Sequence, residues 1–258
     1  MNRNIAFKLL LLLLCCSSCT NGQSAKQETA MVAPSAILKD MDSWGAYRHK
    51  YLLLSRNFIA YDENHKPIDR GLFLKKVSEG KYLPLRVNAG TNSLVFRLFP
   101  FPQKTDLVLK SVIKEVGKLY FNYYTWEGKK FPDFSFKDLD GKTYSNKIVK
   151  GKIVVLKCWY ISCIPCVQEM PELNNLVAEQ KDRKDILFIG LAFDQAKALS
   201  AFLKKVKFVY HVVPNQKPFL LEKLKVFSYP THIIIDKNGF VIKAVGDVGD
   251  LKSVLHDL

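Results

Sequence analysis

Cys163-Ile164-Pro165-Cys166 sets two thiols three positions apart, after the apolar run "GKIVVLKCW" and before a helical pattern. At the start of a helix, unpaired backbone N–H groups and the helix dipole favour an anion, so Cys163 is placed to be the attacking thiolate. Cys166, one turn on and facing inward, is placed to resolve a mixed disulfide and is shielded from starting one. The chemistry is thiol–disulfide exchange. Pro165 suits the first turn, where no N–H is required and its fixed φ is already helical. The same spacing is also half of a zinc site, and two inert buried thiols would share it. A structural zinc site needs a second ligand pair, and Cys158, His211, His232 and His256 are not spaced as one. Exchange is the favoured chemistry, with metal binding and inert thiols as the alternatives.

The elements around the pair alternate. A short strand over 134–136, the turn "LDGK" and a buried strand over 153–158 precede it, and a helix over 164–181 carries it. A strand over 186–193, a helix over 196–205, a strand over 208–213 and a short helix over 219–224 follow. Strands over 232–236 and 241–245, joined by a "KNG" turn, and a last helix from Asp250 complete the pattern. Strands alternating with helices and closed by a hairpin argue for an α/β layer with a mixed sheet.

These pieces together resemble the extracytoplasmic thioredoxins of the TlpA/ResA type. The resemblance runs over residues 130–258 and rests on "FPDFSFKDLDGK", "GKIVVLKCW", "CIPCVQEMPEL" and "FSYPTHIIIDKNGFVI", in that order. It implies a thioredoxin fold, a central mixed β-sheet flanked by helices, and a redox-active Cys163–Cys166 disulfide with no cofactor and no metal. It implies a cis bond before Pro230, which would hold a substrate chain against the nucleophile. It implies that Glu169, three residues after Cys166, moves protons to or from the thiols, and that Pro171 kinks the helix. Protein disulfides are the implied substrates, and a membrane electron donor the implied partner.

The departures are local. Ser162 stands where the family usually has Trp, while Trp159 fits an earlier aromatic position. Lys157 stands where cytoplasmic thioredoxins carry a buried acid, and is placed either to favour thiolates, to lose its proton if buried, or to pair with Glu169. Cys158 reads as a small core residue or a third thiol within reach of Cys166. His232 reads as a structural strand residue.

Ahead of this domain, residues 1–18 read as a signal peptide. Arg3 and Lys8 precede an unbroken leucine run that is too short to span a membrane. The segment resembles a bacterial lipoprotein signal with Cys19 as the lipidated residue and Cys16 as the second choice, which implies a lipid anchor in the cell envelope, facing the periplasm. Residues 19–35 are poor in large apolar residues and read as a tether. Residues 36–125 read as a small β-rich module ending in a helix. Its short runs at 51–62, 71–78, 81–90 and 93–101 are read as strands, "SEGK" as a hairpin turn, and 104–124 as a helix with Leu109, Val112, Val116, Tyr120 and Tyr123 on one stripe. Residues 126–258 form the thioredoxin-like domain.

A formal charge of +15 raises the question of nucleic acid. The lysines are scattered among acids and apolar residues without a basic tract, so a solvated basic surface is expected and no nucleic-acid partner. Two other functions compete with disulfide exchange. A peroxide reductase on this fold would need a Pro-x-x-x-Thr/Ser-x-x-Cys pattern, and "KCWYISCIPC" has no proline there. A binding lipoprotein would use the N-terminal module, with the second domain as its scaffold.

Overall fold

The computed structural model describes residues 29–88, 90 and 93–258. The signal peptide, most of the tether, and Cys16 and Cys19 with them lie outside the described residues.

The N-terminal part runs β1 (Thr29–Ala30), α1 (Pro34–Ile37), α2 (Met41–Tyr51), β2 (Ile59–Tyr61), β3 (Pro67–Ile68), α3 (Arg70–Ser78), β4 (Tyr82–Asn88), β5 (Val95–Pro100) and α4 (Leu107–Trp126). Its sheet has the order β1-β4-β5-β2-β3, with β2 parallel to β5 and the other pairs antiparallel. The expected strand at 71–78 is a helix. Gly71, Phe73, Leu74 and Val77 of α3 are buried on the helical spacing, and Asp69 caps the helix by accepting from the Leu72 N–H at 2.9 Å. "SEGK" accordingly ends a helix, with Gly80 at φ 78°, and the run at 51–62 becomes the end of α2, a loop and β2. The module is mixed α/β where a β-rich one was expected, and β1 already pairs with β4 inside the stretch read as tether.

The C-terminal part holds β6 (Ser135–Lys137), β7 (Thr143–Ser145), β8 (Ile153–Trp159), α5 (Ile164–Gln168), α6 (Met170–Glu179), β9 (Ile186–Ala192), α7 (Ala196–Leu203) and β10 (His211–Val213). A π-helical turn (Phe219–Lys223), β11 (Thr231–Ile235), β12 (Val241–Val245) and α8 (Val248–His256) follow. The sheet order is β10-β9-β8-β11-β12. The first three strands are parallel and the last two antiparallel to their neighbours. This is the thioredoxin-like α/β arrangement, with β8 at its centre and all seven of its residues buried. The expected helix over 164–181 divides at Glu169. Pro171 has no N–H to give to the carbonyl one turn back, so the helical bonding restarts from Glu169.

Alternate residues of β8 serve different layers. Val154, Leu156 and Cys158 pack with Ile189, Leu191, Ile233 and Tyr123 of α4. Ile153 and Val155 face the opposite way, against Leu173 and Leu176 of α6 and Leu251 and Leu255 of α8. Helix α4 is shared, since its Leu109, Ile113 and Val116 belong to the N-terminal core while Tyr123 belongs to the second. Polar contacts reinforce the junction. Arg70 gives two hydrogen bonds to Glu127 at 2.7 and 2.8 Å, Lys243 of β12 reaches the same carboxylate at 3.1 Å, and Asp250 of α8 accepts from Ser55 and Arg56.

The crossing of α3 and α4 depends on Gly117. A Cβ there would lie 2.7 Å from Val77 Cγ1 and 2.8 Å from the Val77 carbonyl carbon. Gly117→Ala is expected to destabilise the protein by about 1–3 kcal/mol. Gly45→Ala, in open space on exposed α2, is expected to stabilise it by about 0.5–1 kcal/mol. Chemical denaturation of both variants checks the contrast.

Candidate functional site

Cys163 and Cys166 form a disulfide with Cα atoms 5.2 Å apart. Cys163 is the N-cap of α5, and its Sγ accepts from the Cys166 N–H at 3.3 Å. That contact, and the other free N–H groups of the turn, are what a thiolate at Cys163 would draw on once the disulfide is reduced. Cys163 is 4% exposed and Cys166 0%, and Ile164 between them is 69% exposed. Access is thus ordered, with a small exposed area left to Cys163 and none to Cys166.

The Tyr229–Pro230 bond is cis. Tyr229 packs against the cluster formed by Trp159, Cys163, Cys166 and Met170, so the proline's segment lies alongside the disulfide. Tyr160, just ahead of the cysteines, stacks on Phe193 with ring centres 5.2 Å apart, and both meet Tyr229 edge-on at 5.5 and 5.0 Å. Sequence reasoning found the missing Trp at Ser162 but overlooked this aromatic group, whose members lie far apart in the chain. Ser162 itself is exposed. From the other side, Tyr123 of α4 shares a 2.7 Å hydrogen bond with the Thr231 hydroxyl, one residue past Pro230.

Beneath the pair lies a buried charge cluster. Lys157 is on the β8 face that looks toward α6, and its ammonium donates to Glu169 Oε1. The β8–β11 register sets His232 directly opposite Lys157, and its Nε2 lies 3.0 Å from the same oxygen. The imidazole and the carboxylate meet at this distance outside well-formed hydrogen-bond geometry. Lys157 and His232 are fully buried and the Glu169 side chain is 9% exposed, so Glu169 is no solvated surface residue. Burial alone would push the Glu169 carboxyl up, but His232 and Lys157 outweigh it and hold it below the usual carboxylate range. Burial also lowers Lys157, against the opposing pull of Glu169.

His232, read from sequence as a plain strand residue, is one and in addition meets Glu169. The signal was there in parallel: Lys157 interrupts "IVVLKCW" and His232 interrupts "THIII", two polar residues in buried runs that need each other or a common partner. Cys158 points to the opposite face, into the core shared with α4, and belongs to a different cluster from Cys166. It is a core residue and not a third exchanging thiol. Burial pushes its thiol up to about 12.

The AhpC/TSA family profile matches residues 128–244. A protein named thiol-disulfide oxidoreductase ResA from Bacillus thuringiensis is 33% identical over 161 residues, covering 60% of this chain and 88% of its own. The thioredoxin-like protein YneN of Bacillus subtilis is 33% identical over 117 residues, 45% of this chain and 68% of its own. Among solved structures, the thioredoxin domain of a Bacteroides vulgatus thiol-disulfide oxidoreductase aligns over 51% of this chain and 96% of its own, at 24% identity and a TM-score of 0.46.

The burial of Cys158 gives a direct check. After mild reduction of the folded protein, a maleimide is expected to label Cys163 first, Cys166 more slowly, and Cys158 only on denaturation, as read by peptide mass spectrometry.

Proposed function

The chain belongs to the ResA-type thiol–disulfide oxidoreductases, and from that membership we propose that it reduces disulfides in other polypeptides outside the cytoplasm. The observation that carries the reading is the Cys163–Cys166 disulfide at the start of α5, with the first cysteine slightly exposed and the second fully buried. In the reduced protein, the Cys163 thiolate attacks one sulfur of the substrate disulfide. That bond breaks, and the departing sulfur takes the electron pair and a proton. The Cys166 thiolate then attacks Cys163 Sγ, which closes the disulfide and releases the second substrate thiol. Glu169, one turn from Cys166, accepts the proton that Cys166 must lose. Pro230 and the aromatic group of Tyr160, Phe193 and Tyr229 hold the substrate chain against Cys163.

Each cycle leaves the protein oxidised, so a donor must return two electrons. A membrane-bound donor suits a protein held at the envelope by a lipid on Cys19. Among the described residues no helix is long and apolar enough to cross a membrane, and the anchoring assignment rests on the leader sequence alone.

Insulin reduction with a chemical reductant as donor tests the reading. The wild type is expected to accelerate precipitation of the insulin B chain and Cys163→Ala to fall to the uncatalysed rate. Cys166→Ser is expected to accumulate mixed disulfides with polypeptides in cells. Equal, near-zero activity of the wild type and Cys163→Ala would exclude the exchange reading, and peroxide consumption rivalling disulfide reduction would favour the chemistry after which the AhpC/TSA family is named.

A further inference from the structure

A lysine with no exposed surface is rarely tolerated unless it is paired. Here it is joined by a fully buried histidine on the same carboxylate, and all three side chains come from different elements: Lys157 from the central strand β8, His232 from β11, and Glu169 from the junction of α5 and α6. Replacing such a cluster with apolar residues commonly costs a protein nothing in stability, so packing alone does not account for it. Its placement does. Cys166 and Glu169 are three residues apart on one helix face, so the carboxylate that both partners grip is the one nearest in sequence to the resolving sulfur.

We infer that Lys157 and His232 are positioning residues for Glu169, keeping its carboxylate charged and turned toward Cys166 so that it takes the resolving proton. The inference rests on the exchange reading above and concerns the second step. There the Cys166 S–H proton passes to a Glu169 carboxylate oxygen. The sulfur keeps the bonding pair and attacks Cys163 Sγ, and the leaving thiolate is protonated in turn from Glu169 or from solvent. Lys157 and His232 bind neither substrate nor sulfur in this scheme. They act by keeping the acceptor empty of its proton.

The groups that face Glu169 are few. They are Lys157 from β8, His232 from β11, and the buried Tyr210 phenol at the start of β10, whose own proton loss is disfavoured by burial and by the Glu169 charge. The Tyr210 hydroxyl makes no hydrogen bond among the described residues, and neither does His232 Nδ1. Of the three, only Lys157 and His232 lower the carboxyl. Losing either therefore has one direction: the carboxyl binds its proton more firmly, and the acceptor is filled at a pH where the wild type's is still free.

The two steps separate with a chromogenic aryl disulfide, 5,5′-dithiobis(2-nitrobenzoate). Attack by Cys163 releases the first coloured thiol, and closure by Cys166 releases the second. In the wild type the second phase is expected to hold its rate through the neutral and mildly acidic range. In Lys157→Met and His232→Leu it is expected to fall along an acidic limb whose midpoint lies about one to three pH units higher. His232→Gln, which keeps a donor for the carboxylate, is expected to recover most of the wild-type profile. Glu169→Gln is expected to slow the second phase at every pH and to have no such limb. Circular dichroism establishes that each variant is folded, and a double Lys157→Met, Glu169→Gln variant, which removes both charges together, stands in if the single lysine change fails to fold. In that double variant the second phase is expected to match Glu169→Gln alone, because Lys157 acts only through the carboxylate. A further slowing of the double variant would overturn the inference. So would second-phase profiles for Lys157→Met and His232→Leu that superimpose on the wild type, or that drop by one factor at all pH values. No release of coloured thiol by the wild type would instead remove the exchange reading itself.

Discussion

A positive charge buried in the central strand is the constraint around which the catalytic half is arranged. Removing an ammonium and a carboxylate from water costs several kcal/mol per ion, repaid only when the two meet in good geometry. Lys157 can occupy β8 because the chain breaks its helix at Glu169 and turns that carboxylate down onto the sheet. The break that Pro171 imposes and the polar position in β11 both serve this cluster. An isoleucine at 232 would leave Lys157 as the one cation beside the carboxylate.

The second dependence is mechanical. Helix α4 closes the N-terminal core with one half of its apolar stripe and the C-terminal core with the other. The ion pairs of Glu127 and Asp250 fasten segments that lie 57 to 194 residues apart in sequence. Through Tyr123 the same helix reaches Thr231, so the loop that carries Pro230 is supported by a residue of the N-terminal module. The surroundings of the disulfide are therefore a product of both halves.

Much of the catalytic half was legible because its signals are local. The Cys-x-x-Cys spacing, the buried run before it, the alternating strands and the Tyr229–Pro230 pair each speak within a few residues. The N-terminal module was harder. "GLFLKKVS" reads as a strand by composition, since its β-branched and aromatic residues sit beside lysines. Its burial at Gly71, Leu74 and Val77 is helical because Gly117 lets α4 approach, a fact written 40 residues away. His232 is the strand residue that was expected, but its meeting with Glu169 is set by a register between β8 and β11 that no window of sequence contains.

The family profile and the closed packing do not have the same limits in this chain. The AhpC/TSA match begins at residue 128 and stops at 244. The layers that enclose the sheet take Tyr123 from before that stretch and Val248, Leu251 and Leu255 from after it. Excision at the borders of the match would bare apolar surface on both faces of the sheet and take the Tyr123 hydroxyl away from Thr231, leaving it only the Ser228 carbonyl. The module ahead of the redox domain is thus no detachable appendage, and its residues 107–126 are as much a wall of that domain as α8.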